Sequence, residues 1–126
     1  MALFYRKIQR KNPLKPEEEG KWYVSIKSIG RIGEKEVAKE IADETTLNPK
    51  EAEMAIYQFQ KVLVRALLDG KTVQLGEIGS FQVTINSKGV EKEADVNATL
   101  VKKVNLRFNP SNDLREKLQK AQFKAR

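Results

Sequence analysis

The sequence predicts an α+β fold: a helical hairpin, a three-stranded antiparallel sheet with a short β arm, and a C-terminal helix. Three observations carry this prediction. Two amphipathic stretches at helical spacing lie side by side, separated by the start signal Asn48-Pro49. Runs of period-2 apolar alternation follow, interrupted by glycines. A capped amphipathic segment follows the break at Asn109-Pro110.

Residues 1–20 contain Pro13 and Pro16, which oppose a continuous helix and fit a short strand followed by a loop. Trp22, Val24 and Ile26 then alternate with Tyr23, Ser25 and Lys27, which is strand spacing. Such an alternation is expected to bury Trp22 against a sheet. Gly30 and Gly33 end the pattern. Helix spacing begins at Glu34 and runs to Glu44, with Val37, Ala38, Ile41 and Ala42 on one stripe. Thr45-Thr46-Leu47 closes that helix. Asn48 caps the next one, Pro49 suits its first position, and Glu51 is placed to reach back and close a capping box. This second helix is expected to reach about Leu68. Its stripe comprises Ala52, Ala55, Ile56, Phe59, Val62, Leu63, Ala66 and Leu67. The first helix is too short to cover so wide a stripe, which predicts that a second chain covers the remainder.

Asp69-Gly70 stops the helix. Residues 71–75 read as a strand with Val73 and Leu75 inward, and residues 80–85 as another, with Phe81, Val83 and Ile85 on one side. Gly76 and Gly79 form the connection; no Gly-Lys-Ser/Thr follows them, so a turn suffices and a phosphate loop is not indicated. Asn86-Ser87-Lys88-Gly89 is a turn signal. Residues 90–100 read as a polar, mixed-charge arm, and Leu100 to Phe108 as a third strand. Ser111 or Asn112 then caps a last helix through about Gln122, with Leu114 and Leu118 four apart.

A length of 126 residues suits one domain. The chain has no Cys and no His, which excludes disulfides and thiolate metal sites and removes the commonest general base. No cofactor and no small-molecule substrate is expected. A carboxylate enzyme would have to use Glu17-Glu18-Glu19 or Glu91, Glu93 and Asp95, all in segments expected to be exposed, so the chain is read as a non-enzyme. The apolar run near the N-terminus is too short for a signal peptide, and no stretch approaches membrane-spanning length. A cytoplasmic protein without membrane contact is expected.

The net charge of +7 favours an anionic partner. It is uneven. Residues 1–31 carry 8 basic and 3 acidic side chains, residues 32–70 carry 5 and 8, and residues 71–126 carry 11 and 6. The anion-binding surface is therefore expected on the two outer thirds.

The order of elements and their punctuation resemble the bacterial histone-like HU and integration host factor family over about residues 33–122. The resemblance is strongest in Glu36-Val37-Ala38-Lys39-Glu40-Ile41-Ala42, Leu47-Asn48-Pro49-Lys50-Glu51-Ala52-Glu53, and Leu67-Leu68-Asp69-Gly70-Lys71-Thr72-Val73-Gln74-Leu75. Glu77-Ile78-Gly79-Ser80-Phe81 is similar to the family's Gly-Phe-Gly-Thr-Phe hinge, and Phe108-Asn109-Pro110-Ser111 to its Phe-Lys-Pro-Gly segment. The sequence departs from the family in three ways. Residues 1–32 have no counterpart in ordinary HU. The hinge begins with Glu77 and Ile78. No proline lies between Phe81 and Phe108, where the family carries the wedge that kinks DNA. The extension and short arm look similar to an HU-related branch of Bacteroides-type bacteria. The division that follows is a basic extension with a strand at 1–32 and an HU-like domain at 33–126.

The resemblance implies an intertwined homodimer, nucleoid-associated, that binds double-stranded DNA with little regard to sequence. It implies a dimer interface built from Phe59, Val62, Leu63, Ala66, Leu67, Phe81 and Phe108. Phosphate contacts are expected from Lys88, Lys92, Lys102, Lys103 and Arg107, the last three favoured because no acid interrupts them. Arg6, Lys7, Arg10, Lys11 and Lys15 fit two roles equally: a basic arm on the DNA backbone, or a solubilised sheet edge. For Ser111, helix capping is favoured over phosphate binding. The rival function is an HU-scaffold protein-interaction module that has lost DNA binding; Glu77 and the missing arm tip favour it.

Overall fold

The computed structural model describes residues 1–126. Its elements are β1 (Leu3–Arg10), β2 (Lys21–Ile26), α1 (Glu34–Glu44), α2 (Pro49–Leu68), β3 (Val73–Gln74), β4 (Gly79–Ser87), β5 (Val101–Pro110), α3 (Asn112–Gln119) and β6 (Phe123–Ala125). They form two three-stranded sheets, in the orders β2-β1-β6 and β3-β4-β5, with α1 and α2 as a helical hairpin.

The end of α1 and both ends of α2 lie where local chemistry directs. Thr45 caps the C-terminus of α1 and donates its hydroxyl to the Ile41 carbonyl at 2.6 Å. Asn48 accepts the Glu51 backbone N–H at 2.8 Å. Glu51 does reach back, but its carboxylate takes the Asn48 side-chain amide instead of the backbone N–H. At the other end of α2, Gly70 adopts φ +79° and donates to the Leu67 carbonyl, while Lys71 donates to that of Ala66. That pair of bonds is a Schellman motif, and its left-handed position suits glycine. Ala38 and Ala52, the two buried apolar residues of the chain, lie one on each helix. Small side chains there let the helices approach closely.

In the second sheet, β4 and β5 form a long antiparallel hairpin, paired from Gly79↔Pro110 to Ser87↔Val101. β3 is only two residues long, shorter than the strand expected at 71–75. Gly79 turns the chain into β4 with φ +144°; a Cβ there would overlap the Asn109 carbonyl oxygen and stand 2.9 Å from the Pro110 Cα. Ser111 caps α3 by accepting the Leu114 N–H at 3.1 Å, and it donates its hydroxyl to the Glu77 carbonyl. The hydroxyl is thus fully engaged in tying α3 to the turn before β4.

Four expectations are corrected. The strands divide into two sheets, because the N-terminal hairpin β1–β2 pairs with the chain's C-terminal end and not with β3–β5. The last helix ends at Gln119, not Gln122: the chain leaves it so that β6 can run parallel to β1, with the Leu3 N–H on the Gln122 carbonyl at 2.8 Å. Residues 90–100 are not a bare arm. They hold 3-10 turns at Glu93–Asp95 and Ala98–Leu100, and the Lys88 N–H bonds the Leu100 carbonyl at 2.8 Å. Trp22 is not core. It is 67% exposed, because its sheet face is uncovered within the chain.

The chain exposes 11419 Å². A folded monomer of 14.4 kDa would expose about 6,800 Å². Large exposed apolar residues lie on α2, on one face of the β4–β5 hairpin and on the N-terminal segment.

Candidate nucleic-acid interface

The β4–β5 hairpin sorts its side chains by register. Phe81 faces Phe108, Val83 faces Leu106, and Ile85 faces Val104. Because side chains alternate across a strand, these six share one face. The rings of Phe81 and Phe108 meet at 4.9 Å between centroids, tilted by 35°. Farther out the face is open, with Leu106 61% exposed.

The other face pairs Gln82 with Arg107, Thr84 with Asn105, and Asn86 with Lys103. It carries two cations, amides and a hydroxyl, and no carboxylate. Asn105 donates to Asn86 at 3.2 Å and stiffens the centre of the row. Lys103 and Arg107 stand four residues apart on one strand, about 13 Å. Neither has an ion-pair partner; the only two ion pairs in the chain are Lys15–Glu18 and Lys117–Glu77. A flat, acid-free row of cations on rigid backbone can hold anions spaced along a line.

Lys102 stands apart from this row. The ladder shifts between Asn86 and Ser87, which pair with Lys103 and Val101, so Lys102 is the extra residue at the irregularity. Lys88 and Lys92 lie beyond the strand ends in the loop that closes the hairpin, where Glu91, Glu93 and Asp95 dilute their charge.

The N-terminal cations divide as well. Arg6 and Arg10 lie on one face of β1 and Lys7 on the other, while Lys11 and Lys15 fall in the loop after the strand. Of the residues expected at a dimer interface, Leu63, Ala66, Leu67 and Phe81 are half-buried within the chain. Phe59, Val62 and Phe108 are open, at 40%, 43% and 41%. Ala55 falls outside the covered stripe. Sequence reasoning missed Val83, Ile85, Val104 and Leu106 as part of one open apolar surface. Their alternation was visible, but the register that aligns the two strands was not. No helix is long and apolar enough to cross a membrane.

Residues 1–125 match the family model described as HU domain fused to wHTH, Ig, or Glycine-rich motif. Among solved structures, a Bacteroides vulgatus protein described as a candidate bacterial DNA binding protein superposes with a TM-score of 0.67 at 12% identity. That superposition takes in 98% of this chain and 48% of the other, so the chain spans about half that protein's length. The Anabaena HU–DNA cocrystal structure superposes with a TM-score of 0.57 at 17% identity, over 71% of this chain and 99% of the HU chain. At these identities the likeness is one of fold. No curated protein matches the sequence.

Proposed function

We propose an architectural, duplex-binding role for this chain from one premise: it belongs to the HU-HIG family of HU domains fused to wHTH, Ig, or Glycine-rich motifs. The family and fold are those of DNA-binding architectural proteins and not of enzymes. The acting unit is a homodimer. Two chains bring their α2 stripes and the apolar faces of their β4–β5 hairpins together, and turn the opposite faces outward as a saddle for DNA. Residues 33–126 carry the HU-like elements, and residues 1–32 add a hairpin to them that pairs with β6 at the C-terminal end. The work belongs to the nucleoid.

The observation that carries this reading is the two-faced hairpin, apolar through Val83, Ile85, Val104 and Leu106, and cationic and acid-free through Lys103 and Arg107. The dimer has independent support. The surplus over a compact monomer's expected surface is about 4,600 Å² per chain, or about 9,200 Å² for a pair, more than an obligate interface of about 2,000–5,000 Å² in total requires. Lys103 and Arg107 are the principal phosphate contacts, with Lys102, Lys88 and Lys92 nearer the tip. Contacts of this kind position a protein on the duplex without reading bases. The absence of any proline between Phe81 and Phe108 removes the wedge that would kink the duplex.

The test is a titration of linear, nicked and cruciform DNA at 50 and 200 mM salt. Four saddle cations, two from each chain, would weaken binding about 150-fold over that range. Failure to shift any of the three DNAs at 50 mM salt would sink the proposal and leave the protein-interaction module in its place.

A further inference from the structure

The β2-β1-β6 sheet distributes its charge unequally. Tyr5↔Ile26, Lys7↔Val24 and Gln9↔Trp22 share one face, while Arg6↔Ser25, Ile8↔Tyr23 and Arg10↔Lys21 share the other. The parallel strand β6 adds Phe123 beside Leu3 on the first face and Lys124 beside Phe4 on the second. Alternation carries Lys27 and Arg126 to the second face too. The Lys27 N–H bonds the Phe4 carbonyl at 2.8 Å, and the Arg126 guanidinium lies 5.2 Å from the Phe4 ring. Arg10 lies 5.9 Å from the Tyr23 ring.

The second face therefore holds Arg6, Arg10, Lys21, Lys27, Lys124 and Arg126, and no acidic side chain. All six are exposed and none is in an ion pair. The first face has Lys7 alone among Trp22, Val24, Ile26 and Phe123. Six like charges on one small sheet repel one another unless an anion meets them.

We infer that this face is a second phosphate-contacting surface for duplex DNA, a rigid platform built jointly by the two ends of the chain. The inference rests on the architectural reading above and extends it to a separate sheet. Arg6 and Arg10 lie about 13 Å apart along β1, Lys21 and Lys27 about 20 Å apart along the line of β2, and Lys124 and Arg126 about 7 Å apart along that of β6, while Arg10 and Lys21 face each other about 4.8 Å apart across the strands. Their long stems let the heads follow a phosphate rail. Two observations favour a duplex over other polyanions. An anionic membrane is gripped by apolar and cationic groups acting on one surface, and here the large exposed apolar residues Trp22, Val24 and Ile26 lie on the opposite face. Unpaired bases need free aromatic faces, and the Phe4 and Tyr23 rings already lie under guanidinium groups.

The experiment uses the full chain on a 30-base-pair linear duplex and reads the slope of log affinity against log salt. The double variant Arg6→Gln/Arg10→Gln is expected to lower the magnitude of that slope by about 1.8 for each sheet on the DNA. Lys21→Gln/Lys27→Gln, on the neighbouring strand, is expected to do the same. Arg6→Lys/Arg10→Lys keeps the slope. Lys7→Gln, one residue from Arg6 but on the other face, leaves it unchanged. Parent slopes in both glutamine doubles would overturn the inference, as would an equal loss in Lys7→Gln, which would mean that net charge alone matters. Tighter binding to anionic phospholipid vesicles or to single strands than to the duplex would also overturn it. The architectural reading fails separately, by the parent chain ignoring duplex at low salt. A parent that binds with a steep slope while the glutamine doubles match it leaves that reading standing and removes only the second surface.

Discussion

Leu106→Asp is expected to abolish the dimer, whereas Asn105→Asp, its neighbour in sequence, is expected to spare the dimer and weaken DNA binding. Leu106 lies on the apolar face of the β4–β5 hairpin, opposite Val83, and is 61% exposed in the single chain. About 1–2 kcal/mol of its apolar transfer is therefore still to be gained at an interface. An aspartate forfeits that gain and adds several kcal/mol for removing a carboxylate from water. A two-fold interface meets the change twice. The total is at least about 8 kcal/mol, or between five and six powers of ten in dissociation constant. Asn105 faces the other way, between Lys103 and Arg107, so a carboxylate there stays in water and repels phosphate. Sedimentation equilibrium gives the dimer constant, and a gel shift on linear duplex gives the DNA affinity. Leu106→Met, which conserves volume, should stay within about 1.5 kcal/mol of the parent. A Leu106→Asp chain that remains a dimer with the parent's constant would refute the reasoning.

Other consequences concern local structure. Gly79→Ala must leave a positive φ and clear the Asn109 carbonyl, which should cost about 3 kcal/mol and lower Tm by roughly 10 °C at fixed chain concentration; an unchanged thermal melt would contradict the tight approach. Asn48→Ala removes the cap on α2 and should cost about 1 kcal/mol, read from a urea midpoint that shifts at constant m. The Glu34 carboxylate, with desolvation and then Glu53 adding to it, raises the Tyr57 phenol above the ordinary tyrosine range. The neutral phenol is thereby favoured in the folded chain. Its contribution is fully present below the unfolded tyrosine pKa and is lost as pH rises through the higher folded one. An absorbance titration should show a late-ionising tyrosine, and Glu34→Gln should bring that ionisation back toward the ordinary tyrosine range. Fragment circularisation should be stimulated less than by an HU that carries the arm proline; equal stimulation would mean that bending does not need that wedge.

The helices were legible because their signals are local. Asn48-Pro49 and Asp69-Gly70 announce the ends of α2 within a few residues, and the observed bounds agree with them. The alternation in β2, β4 and β5 was equally plain. What the sequence withheld was partnership. A three-residue strand such as Phe123–Ala125 has no pattern of its own and exists through its pairing with β1. The separation of Arg6 and Arg10 from Lys7 follows from alternation, yet a basic run in a segment of unknown conformation reads as a tail. Trp22 shows the same limit. Alternation placed it correctly on a strand, but only tertiary structure decides whether that face is covered, and within one chain it is not.

The central claim is that two chains present Lys103 and Arg107 to the phosphates of one duplex. The most direct measurement is the slope of log affinity against log salt for the parent chain and for Lys103→Gln/Arg107→Gln. Each lost phosphate contact changes that slope by about 0.9. Two residues from each of two chains predict a fall in magnitude of about 3.6, and a single bound chain would give half of that. An unchanged slope would contradict the account.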